Sequence, residues 1–544
     1  MQKTMKLEVD RKVLSHIDGY RCVNCGKCEE YCPVNAISER QKEVCHLCPD
    51  CTEMKALTVD EMYDLRKESC TLECPLGISP QGYLNLVKAG KQKEAFDLIY
   101  DKNPLPSVCG YICHHPCEQI CKRGQLVDEP MHIRAVKRYL GEKYLDEAPA
   151  SYPVMNDLQI AVVGGGPAGL TAAHTLAKRG YNVTVFEQAA EAGGMLLKGI
   201  PNFRIDKAVV RKEIAKLEKA GIRFEFGVTV ATQKEIDALK KDYDAVIIAT
   251  GTQVSKGLPI EGSRIENILL AVNLMDTVNA GIRVPMYGDA VIIGGGSVAA
   301  DVARTALRLG AETATMICLE SGSQIPAHPW ELQEALDEGV KLISGAAPLR
   351  YIGHTSKLEG LTFAKIENLD LSNFSYDIVE GSEETIHADF AIVATGQKSQ
   401  YQFDREGVYF AGDIAGGKCS VIDAMASGRK IALAVDKDLT GRDYAEYEVE
   451  REIGLGERKY KVYPAVRMKA DFPGIRELPA ACRTGSFAVV EQAFTDDEVL
   501  LEVQRCLNCG YRFVDTEKCI GCGVCQKVCP KGDVITLEPE KEEN

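Results

Sequence analysis

A chain of 544 residues is too long for one hydrophobic core and predicts about three or four domains. At 45% hydrophobic residues it can bury large cores, yet no run of about 18 apolar residues occurs, so no membrane-spanning helix is expected. The formal charge of -15 argues against nucleic acid and anionic membrane surfaces as partners.

The opening residues "MQKTMKLEVDRKVL" lack the apolar stretch of a secretory signal, which predicts a cytoplasmic protein. The first motif is Cys22-x2-Cys25-x2-Cys28-x3-Cys32-Pro33. Disulfides are not expected in a large chain without an export signal. Zinc sites favour two separated cysteine pairs, often with histidine. This spacing is instead that of bacterial ferredoxins, where three thiolates of a tight loop bind one iron–sulfur cube and the fourth often reaches another. Cys45, Cys48, Cys51, Cys70, Cys74, Cys109, Cys113, Cys117 and Cys121 follow, making 13 cysteines in the N-terminal group.

The middle of the chain changes character. "IAVVGGGPAGLTAAHTLAKRGYNVTVFEQ" reads as strand, glycine turn, helix and strand, and "AVIIGGGSVAADVARTALRLGAETATMICLE" repeats the plan 130 residues later. Strands alternating with helices predict an α/β architecture of two Rossmann-type units with parallel sheets. In the first loop Gly164 makes the tight turn, Gly166 admits a pyrophosphate and Gly169 lets helix and strand pack; Pro167 and Ala168 lie between them. Glu187 ends the next strand, placed to accept from a ribose hydroxyl. The second loop is Gly294-x-Gly296-Ser297-Val298-Ala299, with alanine as an accepted third residue. "AVIIATG", ending in Thr250 and Gly251, and "FAIVATG", ending in Ala394, Thr395 and Gly396, read as buried strands leading into small-residue turns. Gly412-Asp413 closes a further apolar strand, where the carboxylate could meet flavin ribityl or phosphate groups. Two nucleotide sites in one unit imply a flavin beside a nicotinamide. Cys506, Cys509, Cys519, Cys522, Cys525 and Cys529 form the C-terminal group, and the last four repeat the ferredoxin spacing before Pro530.

With these motifs in place, residues 45 to 440, roughly 70% of the chain, resemble the small subunit of glutamate synthase. They are also similar to the N-terminal half of dihydropyrimidine dehydrogenase and the large subunit of NADH-dependent ferredoxin:NADP oxidoreductase. The stretches that carry this are "CTLECPLGISP", "NPLPSVCGYIC", "VVGGGPAGLTAA", "GGMLLKGIPNFRIDK", "GGGSVAADVARTALRLGA" and "AGD". The resemblance implies one FAD, one nicotinamide nucleotide and two [4Fe-4S] clusters in a helical N-terminal domain. FAD would contact residues 164 to 169, Glu187, Gln188, Gly194, Met195, Arg204, Thr250, Gly251, Gly412 and Asp413. The nicotinamide nucleotide would lie on residues 294 to 300 and near Ala394, Thr395 and Gly396. One cluster would take Cys48, Cys51, Cys70 and Cys121, with Cys45 an alternative; the other would take Cys74, Cys113 and Cys117.

The chain departs from the pattern in ways that matter. Lys137 falls where the resembled families carry a Gln or Glu ligand, so Cys109 becomes the candidate fourth thiolate. "MICLES" stands where many members have a Tyr-Arg-Arg run, which puts Leu319 and Glu320 in place of two arginines. An acidic residue there accepts from a free ribose hydroxyl and repels a 2′-phosphate, which favours NAD(H) over NADP(H). The alternative is that Arg304 or Arg308 reaches the phosphate.

The expected segments are a ferredoxin-like stretch at 1–66, a helical iron–sulfur domain at 67–150, an FAD-binding domain at 157–285 and 389–440, an NAD(P)-binding domain at 286–388, a connector at 441–500 and a second ferredoxin-like stretch at 501–544. About four [4Fe-4S] clusters are expected, three N-terminal and at least one C-terminal. The reading is an oxidoreductase subunit moving electrons between NAD(P)H and a protein partner, with other subunits of an electron-transfer complex, or ferredoxin, as partners. No catalytic acid or base is assigned, since hydride transfer between two rings needs none. A bifurcating FAD, an electron-input subunit of a glutamate synthase-like enzyme and a non-catalytic scaffold are the alternatives.

Overall fold

Short runs of β-branched and small apolar residues, each followed by an amphipathic stretch, build the centre of the molecule. The computed structural model describes residues 13–17, 32–33, 36–39, 70–88, 90–126, 128–417, 420–441, 474–506, 512–514, 524–528 and 535–539. It divides into two units, one of residues 1–145, 436–474 and 493–544, the other of residues 146–435 and 475–492.

The second unit holds two five-stranded parallel sheets. The first has the order Tyr409–Phe410, Ala245–Ile248, Gln159–Val163, Asn182–Glu187, Arg223–Phe226. The other has the order Lys341–Ser344, Thr313–Cys318, Asp289–Ile293, Phe390–Val393, Ile268–Leu270. Their central strands are buried almost end to end, as expected where helices cover both faces of a parallel sheet. A four-stranded antiparallel sheet, Ala346–His354, Lys357–Asp370, Ser375–Ile378 and Glu384–His387, is inserted before the strand Phe390–Val393.

Residues 475–492, expected as part of a connector, add to this unit. Val490 N–H donates to Phe203 O (2.9 Å), and Phe487 packs against the core beneath the second sheet. A buried ion network lies beside it. Arg304 and Arg308 both donate to Glu338, at 2.8 and 3.0 Å, and both stack over the Phe203 ring.

The other unit is assembled from distant pieces of sequence. The helices Pro80–Lys88 and Pro106–Ile112 are buried nearly all round, while Gln92–Tyr100 turns Ala95, Phe96 and Ile99 inward and Ile133–Lys143 packs beside them. The helix Asp496–Gln504, opened by a capping box at Thr495 and Glu498, brings Glu502 to the backbone N–H of His132 (2.6 Å). Arg505 donates to Glu502 (2.8 Å) and Asp128 (3.2 Å), and Arg123 donates to Arg505 O (2.6 Å). Glu502 is fully buried, and His132 and Arg505 together hold its carboxyl below the ordinary range. Arg505→Met is expected to cost up to about 3–5 kcal/mol, because a buried carboxylate would lose one of its two ion partners. Faster hydrogen exchange at Val499 and Val503 would register the loss; unchanged protection there would refute it.

The chain ends meet in the same unit. Val13–Ile17 pairs antiparallel with Ile535–Pro539, and Ile37–Glu39 pairs antiparallel with Arg512–Val514. The two ferredoxin-like stretches, read from the sequence as separate segments, thus share both of their ladders. Cys525 lies 3.1 Å from the Ser15 hydroxyl across this pairing.

Candidate functional site

Each central strand of the two parallel sheets runs into a glycine turn whose shape follows from hard contacts. Gly164 has φ +109°, and a Cβ there would stand 2.5 Å from Ala249 O; Gly294 has φ +139°, and a Cβ there would stand 2.5 Å from Ala394 O. In each case the neighbouring strand's end crosses directly beneath the turn. Gly169 is tighter still, since a Cβ would lie 1.9 Å from Gly164 O. A Cβ on Gly166 or Gly296 would instead meet nothing within 4 Å. These two residues precede the helices Pro167–Ala177 and Ser297–Leu309, whose first N–H groups and dipoles suit a phosphate.

The flanking acids repeat the symmetry. Glu187 is buried and accepts from Gly165 N–H (2.8 Å) and Ala189 N–H (2.9 Å). Glu320 follows the strand Thr313–Cys318, and its Oε2 lies 3.1 Å from the Cβ position of Gly295, the same distance that separates Glu187 Oε2 from the Cβ position of Gly165. Burial first, then the nearby Glu320 carboxylate, pushes the Cys318 thiol up to about 11, so it is an inert small hydrophobe.

Around the first loop the structure gathers most of the residues singled out for FAD. Gly194 approaches so closely that a Cβ would lie 3.2 Å from Gly166 Cα, and Met195 opens the next helical turn. Gln188 donates to Gln253 (2.9 Å) and accepts from Tyr401 (2.8 Å). Gly251 has φ +67° and faces open space, while the buried Thr250 hydroxyl has no hydrogen-bond partner. Gly412 sits against Ala168, its N–H donating to the Ser427 hydroxyl (2.9 Å). Burial raises the Asp413 carboxyl above its ordinary range, against a hydrogen bond from Thr252. Arg204 donates to Asp301 (2.9 Å) and to Glu331. Around the second loop Ala299 is buried, Ala394 N–H donates to Ile293 O (2.8 Å), and Gly396 O accepts from Lys256 N–H (2.9 Å). Ser297 and Val298 start the helix there, and Thr395 donates weakly to Lys256 O (3.3 Å).

The Thr250 hydroxyl, the open ground at Gly166 and Gly296 and the paired carboxylates fit two nucleotide cofactors. Sequence reasoning missed the carbonyls of Ala249 and Ala394 that shape both turns. Backbone groups of alanine carry no motif, although each alanine ends a buried strand before Thr-Gly.

In the other unit, Cys74, Cys109, Cys113 and Cys117 are all buried, and Cys70 and Cys121 are partly so. None of the described cysteines forms a disulfide. Backbone donors already point at these sulfurs: His115 N–H to Cys113 (3.3 Å) and Met131 N–H to Cys121 (3.4 Å). His115 itself takes φ 42°, which turns the chain between Cys113 and Cys117. Such N–H···S contacts stabilise thiolate ligands, so this donor set fits an iron–sulfur cluster. In the ferredoxin-like stretches Cys32 accepts from Ala36 N–H (3.2 Å). Cys506 follows the helix Asp496–Gln504. Cys22, Cys25, Cys28, Cys45, Cys48, Cys51, Cys509, Cys519, Cys522 and Cys529 lie outside the described residues.

Two glycine-loop sites in one α/β unit, joined in sequence to ferredoxin-type cysteine clusters, define an iron–sulfur flavoprotein oxidoreductase. The comparisons agree. The pyridine nucleotide-disulphide oxidoreductase family matches residues 158–428, the dihydropyrimidine dehydrogenase domain II 4Fe-4S family residues 61–148, and the 4Fe-4S binding domain residues 16–38 and 512–533. The NADP(+)-dependent formate dehydrogenase subunit beta of Moorella thermoacetica is 30% identical, over 81% of this chain and 70% of that protein. The PreT subunit of NAD-dependent dihydropyrimidine dehydrogenase from Escherichia coli strain K12 is 31% identical, over 68% of this chain and 91% of that protein. The small chain of NADPH glutamate synthase from Azospirillum brasilense is 29% identical, over 67% of this chain and 84% of that protein. The chain belongs to the family of nicotinamide-dependent iron–sulfur flavoprotein oxidoreductases that these subunits represent. Among the described residues no helix is long and apolar enough to cross a membrane.

Proposed function

We propose that this chain is the nicotinamide-facing subunit of an electron-transfer complex, exchanging electrons between NAD(H) and a protein partner. The observation that carries the reading is the pair of equivalently built glycine loops in one unit, each with open ground at its second glycine. A flavin bound there would supply the step from hydride to single electrons, and iron–sulfur clusters would accept them. The chain's own residues hold phosphates on the helix starts at Pro167 and Ser297, and seat the riboses against Glu187 and Glu320. The names of the relatives, a beta subunit, a PreT subunit and a small chain, support work within a complex. Anaerobic bleaching of the flavin absorbance by NADH tests the reading; a flavin-loaded chain that NADH leaves oxidised would overturn it.

Sixteen of the 19 cysteines in the two groups divide into four sets of four. Cys48, Cys51, Cys70 and Cys121 would hold one cluster; Cys74, Cys109, Cys113 and Cys117 would hold a second. Because the two ferredoxin-like stretches pair with each other, each would lend its fourth cysteine to the other: Cys529 to Cys22, Cys25 and Cys28, and Cys32 to Cys519, Cys522 and Cys525. The expected load is about 16 irons and one FAD per chain. Cys32→Ser should remove about four irons while the flavin stays reducible by NADH. A wild-type iron content of eight or fewer would refute the pairing of the chain ends as a two-cluster module.

The preference for NAD(H) rests on Glu320 and on the arginines around it. Relatives named for NAD and for NADP both occur, so the residues beside the second loop must decide. Arg304 and Arg308 are tied to Glu338, with Arg304 99% buried. Neither is placed to serve as the phosphate-binding arginine.

A further inference from the structure

The helices Pro106–Ile112 and Ile133–Lys143 cross at unusually short range. A Cβ on Gly110 would lie 2.4 Å from Arg138 Cα, and one on Gly141 would lie 2.5 Å from the Ser107 hydroxyl. The pairs 110 with 138 and 107 with 141 define an antiparallel packing, held close by the two glycines. It sets Lys137, the neighbour of Arg138, against the stretch that carries Cys109 and Cys113. Lys137 is only 5% exposed. The titratable groups that face it are the sulfurs of Cys113, Cys109, Cys117 and Cys74. These are the four cysteines assigned above to one cluster.

The other cations of this helix are committed elsewhere. Arg134 donates to Tyr111 O (2.6 Å), and Arg138 donates to Glu142 (2.9 Å) while stacking on the Tyr111 ring (3.8 Å). Lys143 donates to the Tyr139 hydroxyl (2.7 Å). Arg134 also faces the Cys113 thiol, whereas Lys137 faces all four.

A lysine cannot complete an iron–sulfur cube while it stays an ammonium, but it can answer the cube's charge. A cluster on four thiolates is anionic and gains one further negative charge on reduction. A buried cation therefore stabilises the reduced form more than the oxidised form, and the low dielectric of the site strengthens the effect. Net charge near a cluster is one of the established controls on its potential.

We propose that Lys137 is a fixed countercharge for the cluster of Cys74, Cys109, Cys113 and Cys117, raising its reduction potential above that set by the thiolates alone. The inference rests on the cluster assignment made above, and the test separates the two. Full-length protein is purified anaerobically as wild type, Cys113→Ser, Lys137→Met and Lys137→Arg. The electron paramagnetic resonance signal that disappears in Cys113→Ser identifies the cluster; if no signal and no iron is lost, the assignment itself fails. That signal is then followed through a potentiometric titration. Lys137→Met should retain the signal with its one-electron equilibrium shifted at least tenfold toward the oxidised form, about 59 mV lower. Lys137→Arg should stay near wild type. An unshifted midpoint in Lys137→Met would overturn the countercharge. Loss of the signal in both Lys137 variants would also overturn it, since the side chain would then be a packing element. Loss in Lys137→Met alone would support it, because the cluster would then need the charge to remain bound.

Discussion

Gly166→Val is expected to yield a chain whose nucleotide-binding unit folds normally but carries less than about one-tenth of the wild-type flavin. The backbone at Gly166 is extended, with φ -81° and ψ -177°, which valine adopts readily. A Cβ there meets no protein atom within 4 Å. The first carbon of the added side chain therefore has room within the protein, and the expected loss comes from collision with a ligand, since overfilling a close-packed contact costs about 1–3 kcal/mol or more. Gly296→Val is the matched case at the second loop, with φ -86° and the same open surroundings. It should keep its flavin and lose most of its reduction by NADH. Flavin content and anaerobic bleaching read the two outcomes separately. Equal flavin content in Gly166→Val and wild type would remove the FAD site from the first loop. Gly169→Ala would be uninformative by comparison, because its Cβ would drive into Gly164 O and disturb the turn itself.

The same contacts explain how much could be read from the sequence. Gly164, Gly169 and Gly294 were legible because a backbone oxygen within 2.5 Å of the Cβ position excludes every other residue. The alternation of buried strands with helices was legible for a similar reason: a parallel sheet covered on both faces demands near-continuous apolar runs. Pairing between the chain ends was not legible. The ladder from Val13–Ile17 to Ile535–Pro539 joins residues more than 500 apart, and nothing in either pentapeptide names its partner. Arg204 shows a different limit. The resemblance named it as an FAD contact but could not name its protein partners, Asp301 and Glu331, two acids whose approach depends on the packing of separate helices. Lys137 looked like a missing ligand in the sequence; only the glycine-mediated helix crossing reveals it as a cation among four sulfurs.

Glu320→Arg is expected to reverse the nucleotide preference, from NADH in the wild type to NADPH in the variant. The two glycine loops are built alike. Glu187 and Glu320 hold their carboxylates at the same 3.1 Å from the Cβ positions of Gly165 and Gly295. That is the station from which an acid accepts a ribose hydroxyl in a dinucleotide fold. At the second loop such a carboxylate would also repel a 2′-phosphate. A positive side chain able to offset the repulsion is not supplied by Arg304 or Arg308, both held by Glu338 and stacked on Phe203. Replacing Glu320 with arginine removes the repulsion and adds a charge-assisted contact of about 1.5–3 kcal/mol. The expected change in the ratio of NADPH to NADH affinity is therefore at least about tenfold and up to about a hundredfold. Glu320→Gln should give an intermediate ratio, since it removes the charge without adding a partner for phosphate. Anaerobic stopped-flow reduction of the flavin, run with each nucleotide over a range of concentrations, supplies the dissociation constants. Tighter NADPH than NADH binding in the wild type would refute the assignment, and so would a ratio that Glu320→Arg leaves unmoved while the flavin stays bound and reducible.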